Sequence, residues 1–348
     1  MNAERVRYLD SIQGSSLSFA VTIKRDGSVN MPDSNIGGYP EISTELLLAS
    51  DEAALARCAA SVDAALTSHG FFVLVSDCAQ PVAERALEKW SQFGALPDTT
   101  KMLQHRSVQR GEAHGGWLRL RDEPVYMSHM AETERSTEQA KQQFGCSVQL
   151  ESTLWPQEHV AAGFSTQVRA CAVWFDKVSR GVLGAFERIL GEKRGFLPYS
   201  PGYLTLSMYP GQPEAADSFE SAEAGLGEHS DADVFTMLTQ RVRGLQIKTR
   251  TGAWSTVPSL SGNQLLVLPG DWMELWSNGQ IPAVRHRVLD VHDDRTSIAF
   301  FQNVSKMAIG PLRQFVNEQQ PVAYPTVQSD IDYVGGQSGV ARWQTHAQ

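Results

Sequence analysis

The chain is short of everything that would mark a disulfide scaffold, a membrane protein or a polyanion binder. Its four cysteines, Cys58, Cys78, Cys146 and Cys171, are scattered over the first half without a C-x-x-C pair, so they read as free thiols. No stretch approaches ~18 consecutive apolar residues, which leaves no expected membrane span. The opening residues MNAERVRYLDS lack the apolar run of a secretory signal, and the expected location is cytoplasmic. A formal net charge of -9 provides no basic footprint for nucleic acid or an anionic membrane. Also missing are a Gly-rich phosphate loop, a low-complexity linker and an internal repeat. With 348 residues there is enough chain for a large core, and an enzyme acting on a small molecule fits these absences. The oligomeric state is left open.

What is present changes character along the chain. Alternation on both sides of KRDG predicts a hairpin over 16–33. Leu55, Val62 and Leu66 recur at helical spacing behind Ser50 and Asp51, so a helix is expected from Asp51 to Ser68, stopped by Gly70. FFVLVS follows as a buried strand, and Pro81 opens a second helix with Val82, Ala86, Trp90 and Phe93 on one stripe. Residues 98–155 are the least regular part. A helical stripe from Val160 to Ile189 predicts one long helix between Gln157 and Lys193. Beyond Gly202 the period falls to two, in YLTLSMY, DVFTML, LQIKT, AWSTV, QLLVL, WMELW, AVRHRVLDV and TSIAFFQN, which argues for an antiparallel barrel or double sheet. The chain therefore divides into an N-terminal α/β region over 1–155, a support helix and β core over 156–313, and a C-terminal tail or lid over 314–348.

The candidate chemistry lies in the β region. In GLGEHSDADVFTML, His229 and Asp231 stand two apart, so on an extended segment both side chains leave one face and can meet one ion. His286 arrives roughly 55 residues after them, a distance that a few hairpins can fold back onto the same site. Two histidines and one carboxylate on one side of a metal leave coordination positions open for other ligands, an arrangement suited to non-haem Fe(II). A second H-x-D, His292 and Asp294, falls in an Asp-rich turn and reads as solvated loop. Arg295 and Ser297, again two apart, can fork-bind a carboxylate from one strand face.

In order and spacing, HSDADVFTML, GLQIKTRTGAWSTVP and LPGDWMELWSNGQIPAVRHRVLDVHDDRTSIAFF resemble the core of iron(II)/2-oxoglutarate-dependent oxygenases of the isopenicillin N synthase-like type. HGFFVLVS and LSMYP look like further landmarks of that family, so the resemblance covers most of residues 40–310. It implies a mainly β fold with α additions, a double-stranded β-helix (jelly-roll) core supported by N-terminal helices and one long helix. By resemblance, His229, Asp231 and His286 bind Fe(II), the Arg295/Ser297 pair grips the distal carboxylate of 2-oxoglutarate, and Tyr209 hydrogen-bonds that co-substrate. Family members often carry Asn where this chain has Ser207. The implied reaction consumes O2 and 2-oxoglutarate, releases succinate and carbon dioxide, and oxidises an unactivated C–H bond by hydroxylation, desaturation or ring closure. Arg110, Arg119 and Arg121, in the irregular run before the core, are candidates for holding an anionic group of the substrate. Three alternatives stay open: an iron oxidase of the same fold that does not use 2-oxoglutarate, a non-catalytic ligand-binding barrel, and a zinc hydrolase with the same ligands.

Overall fold

The computed structural model describes residues 38–76, 81–104, 115–119, 141–148, 153–212, 224–260, 264–305 and 307–328. The hairpin expected over 16–33 lies outside the described residues. The chain enters through β1 (Glu41–Ser43), α1 (Thr44–Leu47), α2 (Glu52–Ser68), β2 (Phe72–Val75), α3 (Pro81–Gly94) and α4 (Asp98–Lys101). Next come β3 (Gly116–Leu118), β4 (Gln142–Ser147) and α5 (Phe164–Ile189). The β region follows as β5 (Tyr203–Tyr209), β6 (Ala224–His229), β7 (Phe235–Gln240), β8 (Leu245–Lys248), β9 (Trp254–Thr256) and β10 (Gln264–Pro269). Helix α6 (Asp271–Trp276) then leads to β11 (His286–Leu289), β12 (Arg295–Gln302) and a short ladder of β13 (Ala308–Ile309) with β14 (Val327–Gln328).

Local chemistry explains the helix ends. Asp51 caps α2, its carboxylate accepting from the Ala53 and Ala54 amides, which satisfies donors that a helix start leaves orphaned. Gly70 then turns the chain at φ 90°. The expected long helix is shorter at its start: Gly163 sits at φ 71°, a left-handed conformation that the preceding turn requires, and α5 begins only at Phe164.

Two sheets form the core. The larger has 8 strands in the order β1-β2-β10-β7-β12-β5-β4-β3, and the smaller has 4 in the order β6-β11-β8-β9. This is the double sheet of a jelly roll, without a continuous hydrogen-bonded ladder closing it into a barrel among the described residues. β3 and β4, inside the stretch that lacks periodicity, extend the far edge of the large sheet, β4 pairing with β5 and β3 with β4. Strand alternation gives that sheet two different faces. Leu204 and Leu206 of β5, Phe235 and Met237 of β7, and Ile298 and Phe300 of β12 point to one side and are fully buried. Against them lies α5, whose Phe164, Phe175 and Phe186 are spaced about three turns apart and so share one stripe. Their rings meet Phe144, Phe300 and Phe235 at centroid distances of 4.9, 5.8 and 5.3 Å. Burying such an aromatic contributes roughly 1.5–3 kcal/mol, so this stripe is a main fastening of helix to sheet.

The other face is polar. Tyr209 pairs with Arg295, and Ser207, Ser297 and Gln240 lie side by side across β5, β12 and β7. The small sheet covers this face, with Asp231 touching Thr236 of β7 and Gly244 packed on the Arg295 stem.

One expected strand is a helix. WMELW alternates polar and apolar residues in sequence, yet every residue of α6 from Asp271 to Trp276 is buried, so the alternation does not separate a wet face from a dry one. Gly270 opens the turn and Asn278, at φ 50°, closes it. Glu274 is held inside by the Ala283 amide and the Tyr324 hydroxyl, at 2.7 Å each. Asn278 in turn takes the Ala323 amide and donates to the carbonyls of Phe315 and Pro321, fixing the chain after β13 onto α6. Cys58, Cys146 and Cys171 are buried free thiols, as expected, and Cys78 lies outside the described residues.

Candidate metal centre and co-substrate pocket

His229 ends β6 and pairs across the small sheet with His286, the first residue of β11. Their imidazole centroids are 4.0 Å apart. Asp231 is two residues beyond the strand, in the loop to β7, so the expected shared strand face is replaced by a turn that delivers the same meeting point. His229 Nε2 lies 3.9 Å from Asp231 Oδ1, and His286 Nε2 lies 3.7 Å from Asp231 Oδ2. Ligand atoms of these residues all fall within 4.8 Å of one another, the one such cluster among the described residues.

The histidines are set for coordination by their other nitrogens. His229 Nδ1 is 2.8 Å from the Gly227 carbonyl and His286 Nδ1 is 3.0 Å from that of Val284. A carbonyl only accepts, so each Nδ1 carries the proton and each Nε2 presents its lone pair to the shared space. Thr236 fixes the carboxylate: its hydroxyl lies 2.5 Å from Asp231 Oδ2 and 2.9 Å from Asp233 Oδ2. One hydroxyl proton serves one carboxylate at a time. Burial, then the neighbouring charge of Asp231, pushes the Asp233 carboxyl well above its usual range. Two neutral imidazoles and a carboxylate, oriented by hydrogen bonds behind them, fit a divalent first-row metal.

Beyond the histidines the polar sheet face carries a second device. Arg295 is 2% exposed and Ser297 8% exposed, so both are inside the fold and not on a solvated turn. The Arg295 guanidinium lies 4.9 Å from the Tyr209 ring centroid. Its Nε and Nη2 donate to Gln240 Oε1 at 3.2 and 2.8 Å, while its buried Nη1 has no hydrogen-bond partner. Burial lowers the Arg295 pKa from its ordinary value, since desolvation disfavours the cation. His292 and Asp294 are exposed, and Asp294 takes the Gly211 amide at 2.8 Å, a structural turn contact.

Residues 199–304 match the sequence model of the 2OG-Fe(II) oxygenase superfamily. Over this core the chain is similar to that superfamily. Among curated proteins similar to this core, Jasmonate-induced oxygenase 4 of Arabidopsis thaliana is 36% identical over 110 residues, 30% of this chain and 31% of that protein. The 2-oxoglutarate-Fe(II) type oxidoreductase ppzD of Metarhizium rileyi is 28% identical over 187 residues, 50% of this chain and 52% of that one. The matches thus span about a third to a half of these relatives. In fold the likeness extends further. The solved structure of the dioxygenase for auxin oxidation in rice superposes with a TM-score of 0.65 at 21% identity, over 88% of this chain and 99% of that one.

The structure brings His229, Asp231 and His286 together, and sets Arg295, Ser297 and Tyr209 on one face of the neighbouring sheet. Arg119 is exposed just past β3, while Arg110 and Arg121, like His105, His114 and His129, lie outside the described residues. Sequence reading missed Thr236, Asp233 and Gln240. The signal for the last was a glutamine on a strand that is otherwise apolar or hydroxylated, since a buried amide needs partners on both its atoms.

Proposed function

We propose that the chain is an Fe(II)- and 2-oxoglutarate-dependent oxygenase that oxidises a C–H bond of a small-molecule metabolite. His229, Asp231 and His286 would hold the iron from one side. When bound, the iron supplies the reaction of dioxygen with 2-oxoglutarate, whose decarboxylation to succinate and carbon dioxide accompanies oxidation of the substrate. Arg295 would take the distal carboxylate of 2-oxoglutarate, with Ser297 beside it on β12 and the Tyr209 hydroxyl as a further partner. Burial of this pocket keeps water from competing for the guanidinium and strengthens its pull on an anion. The observation that carries the reading is the convergence of two Nε2 lone pairs and one carboxylate at Thr236, on the β7 face that also carries, at Gln240, a buried guanidinium whose Nη1 is unpartnered.

The substrate is proposed to lie over the same sheet face, where Tyr203, Thr205 and Phe301 alternate with the core residues. The Tyr203 ring crosses so close to Gly145 that an added Cβ would fall 2.1 Å from its hydroxyl oxygen, so glycine there keeps room for the phenol. A compact molecule with an aromatic contact and a hydroxyl partner suits that surface. An anionic group on it would call for Arg110, Arg119 or Arg121. Metal analysis after anaerobic purification tests the central assignment: binding of 2-oxoglutarate should require a divalent metal at the site and be lost in Asp231→Ala. Metal-independent binding of 2-oxoglutarate would contradict it.

A further inference from the structure

Arginine presents two edges to which a carboxylate can bind side by side: the Nε/Nη2 edge and the Nη1/Nη2 edge. In this pocket the first edge is taken. Gln240 Oε1 accepts from both Nε and Nη2 of Arg295. Its own amide is anchored behind, Nε2 donating to the carbonyls of Val257 and Pro258 at 3.0 Å each. Gln240 is 0% exposed and cannot swing to water. On the stem side, Gly244 at φ 151° leaves room where a Cβ would stand 3.0 Å from Arg295 Cδ. The guanidinium is therefore fixed in plane and rotation: Gln240 takes the Nε/Nη2 edge, the Tyr209 ring lies 4.9 Å from its centre, and Nη1 is buried without a hydrogen-bond partner.

We infer that Gln240 is a positioning residue for the co-substrate: it holds Arg295 so that the distal carboxylate of 2-oxoglutarate docks end-on, across Nη1 and Nη2. The inference rests on the reading of Arg295 as the carboxylate anchor. A neutral amide suits the task in a way that a carboxylate would not. Glutamate at this position would compete with the ligand for the same cation and would face the Val257 and Pro258 carbonyls with like partial charge. Glutamine orients the guanidinium and leaves its charge for the anion.

The test is a double-mutant cycle on the full chain loaded with Mn(II) and kept free of oxygen, with 2-oxoglutarate affinity measured by calorimetry and no turnover involved. Arg295→Met should weaken binding by tens- to hundreds-fold, and Gln240→Met by about tenfold, the scale of a lost orienting hydrogen-bond pair. In the Arg295→Met background, Gln240→Met should have no further effect, because its influence passes through the guanidinium. Gln240→Asn, which keeps an amide but draws the acceptor back, supplies the same comparison if the methionine variant does not fold. Unchanged 2-oxoglutarate affinity in the Gln240 variants, with or without a lower melting temperature, would overturn the inference while leaving Arg295 as anchor. Effects that multiply in the double variant would overturn it too. Unchanged affinity in Arg295→Met alone would instead remove the functional reading on which the inference stands.

Discussion

Arg295 makes an unusual prediction, because its removal should damage ligand binding without damaging the empty fold. The guanidinium is 2% exposed and hydrogen-bonds to a neutral amide, and no carboxylate among the described residues pairs with it. A buried cation without a counter-ion costs several kcal/mol of desolvation, so replacing it by an apolar side chain of similar length is expected to leave stability level or raised. An arriving carboxylate supplies the missing charge, and losing that charge-assisted fork costs on the order of 2–3 kcal/mol of binding. These two effects separate cleanly in urea denaturation of the Mn(II)-loaded protein under nitrogen. With 2-oxoglutarate at one hundred times the wild-type Kd, the wild type should gain about 2.7 kcal/mol of stability. Arg295→Met, its Kd raised roughly a hundredfold, would then be near half-saturation and gain only about 0.4 kcal/mol. A variant that still gains more than about 2 kcal/mol would refute the carboxylate role, and one that unfolds without ligand would refute the claim of an uncompensated charge.

Other expectations are more direct. Asp231→Ala should lose stoichiometric iron while keeping its circular dichroism, whereas Asp294→Ala, in an exposed turn, should keep both metal and activity. Thr236→Val keeps the shape of β7 but removes the hydroxyl behind Asp231, and iron affinity measured by chelator competition should fall roughly ten- to a hundredfold; an unchanged affinity would deny that contact a role. Burial pushes the Cys58 thiol up to about 11 and the Cys146 thiol up to about 12, and raises that of Cys171 further. At pH 8 their thiolate fraction is small and the sulfurs are covered, so mass spectrometry should find these residues alkylated by iodoacetamide only after denaturation.

Much of the site was legible because its chemistry needs particular residue types at short spacings. His229 with Asp231, and Arg295 with Ser297, each stand two apart, and the fold brings each pair into one place, even though Asp231 does so from a loop. The long amphipathic stripe of α5 was equally plain, because aromatic residues recurring at helical period leave few other packings. Where reading failed, burial was the reason. WMELW has the alternation of a strand, but α6 is enclosed on all sides, and Glu274 finds its partners in Ala283 and Tyr324, residues the local pattern does not register. β3 and β4 escaped notice because they are short and take their order from pairing with each other and, through β4, with β5. Gln240 stood out only as a polar residue on an apolar strand: its meaning comes from Arg295, which lies 55 residues away in sequence and hydrogen-bonds to it across the sheet.

The proposed function requires iron, oxygen and 2-oxoglutarate to be coupled at the His229/Asp231/His286 cluster. That coupling is measured by carbon dioxide released from 2-oxoglutarate labelled at its 1-carboxylate, using protein stripped of metal and reconstituted under nitrogen. Release should appear when oxygen is admitted to the Fe(II)-loaded chain, stay absent with Zn(II), and disappear in Asp231→Ala. Release that is equal with Zn(II), or that persists in the Asp231 variant, would contradict the assignment of this cluster as the iron site of a 2-oxoglutarate-dependent oxygenase.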